Sequence, residues 1–428
     1  MRTEIRVEPP ETTARAIPDA AETFRIARTR MAPGLALAQK LAGGSALEAS
    51  ADGVTVTLSN GRTLLDFGSY GVTLLGHRNP AVIAAVQRQL ATLPASTRIL
   101  ANAAAPALCR RLVELTGAPS LTRVWLGQNG TDAVEAALKL ARMATGRRRV
   151  VALAGGFHGK TLGALSVTSG HRYRGTLEPL LTPGVHLAAD LTDAEHAVRR
   201  PDTAAVIIEP IQGEAGIRPL DQAALRRVVT AAKISGVFVI SDEIQVGLRR
   251  CGPVSLAISA NLEPDAVLYG KHLGGGIMPV SAVVCGEEMF APMLSDPFVH
   301  TATFSGHPLG CAAASAAIEE IEARAAHGTR LADHLRHELG DLAARWPHVV
   351  TQIRGRGLAW AIEFTDAETA GRIFADLSTA GLLVSPCLGR PEALRLLPPI
   401  VATAAHVERA VAIFDEVIGR VVAEGAAR

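Results

Sequence analysis

Long apolar runs are missing from this chain. No stretch reaches the ~20 residues a membrane-spanning helix needs, and no charged-then-apolar segment of the signal-peptide kind opens it, so no membrane partner is expected. Cysteine is sparse. Cys109, Cys251, Cys285, Cys311 and Cys387 are scattered, odd in number and without a Cys-x-x-Cys spacing. That pattern speaks against a disulfide framework or a zinc site, so no metal is expected and a cytoplasmic setting is. Charge of one sign is lacking too: 43 Lys+Arg against 41 Asp+Glu leaves +2, too little field to attract nucleic acid. Aromatics make up 4%. The short basic clusters Arg147-Arg148-Arg149 and Arg199-Arg200 have none interleaved and read as solvated turns.

The remaining composition suits a compact α/β protein of two domains: 428 residues, 48% hydrophobic, with 40 Gly and 24 Pro. Glu4, Glu8 and Glu11 among the first arginines argue against a transit peptide, and residues 1–20 read as a flexible tail. Helical spacing covers 21–42, and Val54–Leu58 leads into a hairpin turn at Asn60-Gly61. Pro80 opens a helix to about Leu93. Short apolar runs come next at 123–126, 150–153, 205–208, 237–240 and 266–269, with helices such as 132–144 and 222–234 between several of them. This alternation predicts a mainly parallel sheet between helices, whose binding crevice lies at the carboxyl ends of the strands. From 319 a long helical stretch runs to 346. A smaller α+β unit then ends in a helix from about Ala404, and the N-terminal segment is expected to complete it.

The residues after each run are polar or glycine: Gly127-Gln128-Asn129-Gly130-Thr131, Gly155-Gly156-Phe157-His158-Gly159, Glu209-Pro210 with Gln212-Gly213-Glu214, Asp242-Glu243 and Lys271. Each has an ordinary reading. Gly130-Thr131 opens a helix and is either a capped helix start or an anion site. Asp242 ends an apolar run and needs a partner, either Arg249 or Arg250 in a structural pair or a protonated ring nitrogen. Phe157 and Ile244 are either core residues or the two faces of a sandwich around a flat ring. Lys271, with Gly274-Gly275-Gly276 close behind it, is either a turn lysine or a desolvated amine that forms Schiff bases. Together, at one end of one sheet, they describe a pyridoxal 5'-phosphate (PLP) site.

The motifs Asn129-Gly130-Thr131-Asp132, Phe157-His158-Gly159-Lys160-Thr161, Glu209 to Gly216, Asp242-Glu243-Ile244-Gln245, Lys271 with its glycines, and Thr303-Phe304 before Pro308 occur in this order. Over residues 40–420 the chain resembles the class III (ω) PLP-dependent aminotransferases, most closely the putrescine, ornithine and acetylornithine enzymes. The resemblance implies fold type I, aspartate aminotransferase-like, with a seven-stranded, mainly parallel sheet. It implies a segment 21–75 joining the small domain, a large PLP-binding domain over 76–318 and a small domain over 319–428.

It also implies roles. Lys271 forms the Schiff base and moves the proton, Asp242 pairs with the pyridinium nitrogen, and Gln245 meets the ring hydroxyl. Phe157 and Ile244 enclose the ring, Gly130 and Thr131 hold the phosphate, and Asn129 and His158 join the cofactor-binding set. Thr303 reaches the phosphate of a neighbouring subunit, which makes the partner a second copy in a homodimer with shared sites. Arg395 binds the α-carboxylate of the 2-oxoglutarate/glutamate pair, Glu214 covers Arg395 when an amine without that carboxylate enters, and Tyr70 contacts substrate. The implied activity moves an amino group between an ω-amine, diamine or basic amino acid and a 2-oxo acid. An aminomutase or decarboxylase on the same fold is the alternative, and a non-catalytic scaffold is disfavoured by retention of Lys271 and Asp242 together. The chain departs from the usual family residues at Asn129, Asp132, Val246, Arg249, Cys251, His272, Ser281, Ser305 and His307, which bears on the donor substrate and on a specialised biosynthetic role.

Overall fold

The computed structural model describes residues 19–426, so the expected tail lies almost wholly outside the described residues. A seven-stranded sheet is the centre of the molecule. Its strands are β1 (Arg123–Gly127), β2 (Arg149–Leu153), β3 (Val185–Ala188), β4 (Thr203–Ile208), β5 (Phe238–Asp242), β6 (Ala266–Tyr269) and β7 (Ser281–Cys285). In space they run β1-β7-β6-β5-β4-β2-β3. β6-β5-β4-β2-β3 are parallel neighbours, while β7 runs antiparallel to both β1 and β6.

β4 and β6 are buried along their whole length because helices cover both faces. The helix Gly130–Thr145 packs Val134, Leu138 and Ala141 on one face of the sheet with Ile207, Ile240 and Leu268. The helix Gln222–Ile234 packs Leu225, Val228 and Ala232 on the other with Val206 and Val239. The apolar runs anticipate β1, β2, β4, β5 and β6 but leave β3 and β7 unmarked. β3 is half-buried with His186 inside it, and β7, though buried, opens on Ser281 and is antiparallel to both of its neighbours.

A second hydrophobic cluster joins both chain ends. Leu65, Phe67, Leu74 and Val82 pack with Leu331, Leu335, Phe364, Leu377 and Phe414. An antiparallel sheet of Val350–Arg356, Ala359–Phe364, Arg390–Leu396 and Ser385–Cys387 lies in this region. Leu382–Leu383 adds, in parallel, to Thr63–Asp66 of the N-terminal hairpin. The hairpin turns at Gly61, with φ 81°.

Two helical stretches differ from expectation. Residues 21–42 form two helices, Ala20–Arg30 and Pro33–Ala42. The residue before a proline is pushed out of the helical region, and Pro33 restarts the chain at a first-turn position. The stretch from 319 is also two helices, Pro308–Ala323 and Ala325–Arg345, broken at Arg324. Residues 318 and 319 both lie within the first of these helices.

Candidate active site

The carboxyl ends of β1, β2, β4, β5 and β6 meet at one cavity of about 180 Å³. It is lined by Asn129, Gly130, Thr131, Phe157, His158, Asp242, Ile244, Gln245 and Lys271, together with Gly159 and Glu209. Nine residues singled out in the sequence thus share one site.

Asp242 is 4% exposed. Its Oδ2 lies 2.7 Å from His158 Nδ1, and its Oδ1 accepts the Ile244 N–H at 3.2 Å. The structural pair with an arginine is not formed. Arg249 pairs with Glu322, and buried Arg250 donates to the carbonyls of Leu358, Pro398 and Gly71. Burial alone would lower the His158 pKa, but the hydrogen bond and charge of Asp242 outweigh it and raise it.

Lys271 comes two residues after the end of β6 and takes a left-handed φ of 47°. Strain of this kind clusters at functional sites, where the surroundings hold it. Desolvation, and next Arg395, push its amine below the ordinary lysine range, while Glu214, Asp242 and Glu209 pull the other way. The neighbouring His272 is buried, contacts the Gly247 carbonyl through Nε2 at 3.0 Å and is driven down to about 3 by desolvation.

The helix Gly130–Thr145 points its N-terminus into the cavity. Asn129 caps it by accepting from Asp132 N–H, and Asp132 answers by accepting from the N–H groups of Gln128 and Asn129. The cap is formed and leaves room for the other reading: it satisfies Asp132 N–H, while the N–H groups of Gly130 and Thr131 have no intrahelical partner. Gly130 is closely packed, since a Cβ there would lie 3.1 Å from two Ile244 side-chain carbons, which would have to give way. On the other side, the Phe157 ring meets Tyr173 edge-on, centroids 5.6 Å apart.

Arg395 and Glu214 form a buried ion pair, Nη1 to Oε1 2.5 Å. Glu214 Oε2 also accepts the Leu388 N–H at 3.0 Å, and Arg395 Nη2 donates to the Pro386 carbonyl at 3.2 Å. Thr303 and Tyr70 are not in this chain's cavity; both are exposed, with Tyr70 beside Gly71 in a short turn.

The family model of the class III aminotransferases matches residues 44–418. The chain belongs to the class III aminotransferases. It is a PLP-dependent enzyme of fold type I. Similar solved structures include the ornithine aminotransferase of Toxoplasma gondii ME49 (30% identity, TM-score 0.85, covering 96% of this chain and 97% of that one). An adenosylmethionine-8-amino-7-oxononanoate aminotransferase from Methanocaldococcus jannaschii matches at 25% identity and TM-score 0.85, covering 94% and 99%. A PLP-bound amine transaminase from an uncultivated Pseudomonas species matches at 27% and 0.79, covering 88% and 95%.

The residues of this aminotransferase fit PLP on their own evidence. The buried Gln245 Nε2 has no hydrogen-bond partner and lines the cavity, a donor suited to a ring oxygen. The uncapped helix N–H groups suit a phosphate, and the His158-backed Asp242 suits a protonated nitrogen. Glu209 has no role assigned from sequence. Its signal is the one that marks Asp242, a carboxylate at the carboxyl end of an apolar strand.

Proposed function

We propose that this aminotransferase moves an amino group between an ω-amine, diamine or basic amino acid and a 2-oxo acid, with 2-oxoglutarate and glutamate as the acidic pair, in a ping-pong cycle. The observation that carries this reading is the buried Glu214–Arg395 pair beside Lys271 and Asp242. A guanidinium in a dry site is costly when unpaired. Arg395 fits the α-carboxylate of one substrate, and Glu214 covers it when the other arrives without a carboxylate there. Two of the three similar structures, an ornithine aminotransferase and an amine transaminase, support the same donor class.

Bound PLP supplies a ring that takes up the electron pair released when the substrate Cα–H bond breaks. Asp242, held by His158, keeps the proton on the ring nitrogen. Lys271, with its amine below the ordinary lysine range, accepts the Cα proton and returns it at Nζ. Phe157 and Ile244 would enclose the ring, the Gln245 amide N–H would donate to its hydroxyl oxygen, and Asn129 sets the helix whose Gly130 and Thr131 would hold the phosphate. Tyr70 contacts the substrate, and Thr303 acts on the phosphate of a second copy in a homodimer.

The two half-reactions separate the roles. The PLP-loaded enzyme is mixed with single amines (putrescine, ornithine, lysine, GABA) or with glutamate, and the loss of its visible band is monitored. Glu214→Ala should slow the amine half-reaction by about 10-fold or more while sparing glutamate, a loss of roughly 1.4 kcal/mol or more in the transition state. Equal losses in both halves would count against the gate, and a band bleached by glutamate alone would remove the ω-amine assignment.

A further inference from the structure

Glu209 lines the cofactor cavity, is 6% exposed, and takes no part in the chemistry above. Its two oxygens hold two different loops. Oε1 accepts the Phe157 N–H at 2.8 Å, and Oε2 accepts the Gly213 N–H at 3.1 Å. Phe157 is a wall of the ring site. Gly213 precedes Glu214 of the gate, and its lack of a Cβ leaves the Gln245 amide its place, since a Cβ there would collide with Gln245 Oε1.

The charged groups facing Glu209 come from three further strand ends. They are His158 after β2, Asp242 at the end of β5 and Lys271 after β6, with the Glu214–Arg395 pair beyond. The charge on Glu209 raises both His158 and Lys271. Burial raises the Glu209 carboxyl itself to about 7, against the pull of His158 and the two backbone donors.

We propose that Glu209 is a positioning residue of the transamination site: it pins the ring-face loop to the gate loop and, by gaining or losing its proton to solvent, sets the charge shared by Asp242, His158 and Lys271. The inference rests on the placement of PLP in this cavity. Loss of the proton near neutrality adds a negative charge beside the ring site and favours the positive forms of its neighbours.

The test tracks the absorbance of PLP-loaded wild-type and E209Q enzyme from about pH 5.5 to pH 9. In wild type the spectrum should change in two steps, one near neutrality, because interacting groups titrate as a set. In E209Q the near-neutral step should vanish, and the remaining midpoint should fall by on the order of half a pH unit, an anion having been removed. A wild-type profile with a single step and nothing near neutrality overturns the role, whether or not the variant folds. An E209Q enzyme that melts lower but keeps the wild-type pH profile overturns it too, since a merely structural carboxylate predicts that. If wild-type protein shows no cofactor absorbance after reconstitution, the placement of PLP falls and the inference with it.

Discussion

Lys271 joins a left-handed backbone to a desolvated amine, and both are unfavourable unless the surroundings hold them. Lys271→Ala should therefore abolish the lysine-linked visible band of the cofactor and lower turnover by about 10²–10⁴-fold or more, as checked by spectra and steady-state rates. The same substitution should not lower the melting temperature much, because a desolvated amine is removed. Glu209 gives a pH prediction with a definite sign. An acid raised on folding from 4.5 to about 7 makes the folded state the tighter proton binder in that window. Its stability contribution is complete below the unfolded value and is lost as pH rises through the folded one. His158, raised as well, works in the same direction. The melting-temperature difference of E209Q minus wild type, measured without cofactor, should become more positive between about pH 5 and pH 8. A flat difference would contradict this reading.

The helix Gly130–Thr145 does two tasks at its first turn. Its capping box closes the ladder, and its free N–H groups face the cavity. Asn129→Ala removes the side-chain acceptor and should cost about 1 kcal/mol of stability, read from denaturant unfolding, together with a weaker hold on PLP read by fluorescence titration. Gly130→Ala should weaken cofactor binding more than it weakens the fold. Its Cβ would press on Ile244, a cavity wall, whereas alanine inside a helix is otherwise favourable. The sequence marks this helix nearly to its ends because its apolar spacing is strict and its cap is polar. The helical stretches at 21–42 and 319–346 look continuous in the sequence because helical spacing persists on both sides of each break. Pro33 offers a local signal for one break; Arg324 offers none.

At the scale of the molecule, two loops carry large exposed apolar side chains. Ile99 is 93% exposed, Leu100 72%, Phe298 81% and Phe304 55%. Arg98 ties their two loops together by donating to the Ala302 carbonyl. Thr303, also exposed, is the residue before Phe304, and in the proposed homodimer it faces the second copy. Ile99→Asp should shift the protein toward monomer in sedimentation and weaken PLP retention at the same time. A monomeric variant that keeps full PLP affinity would separate assembly from the site. Among the described residues no helix is long and apolar enough to cross a membrane.

Local chemistry and periodicity determined much of this protein. Asp242, Lys271, Gly130 and Phe157 each lie at or just beyond the end of an apolar strand run. Parallel strands bring their carboxyl-terminal loops to one edge of the sheet, so the sequence alone assembled the site residues and the α/β class. Antiparallel β7 and edge strand β3 were decided by the tertiary fold: β7 inserts between β6 and the sequence-distant β1, and half-buried β3 is placed only by pairing with β2 at the sheet edge. The same holds for the partners of charged groups. Whether Asp242 meets Arg250 or His158, and whether Glu209 faces water or a lysine, depends on which loops converge in space, and a carboxylate at a strand end looks alike in either case.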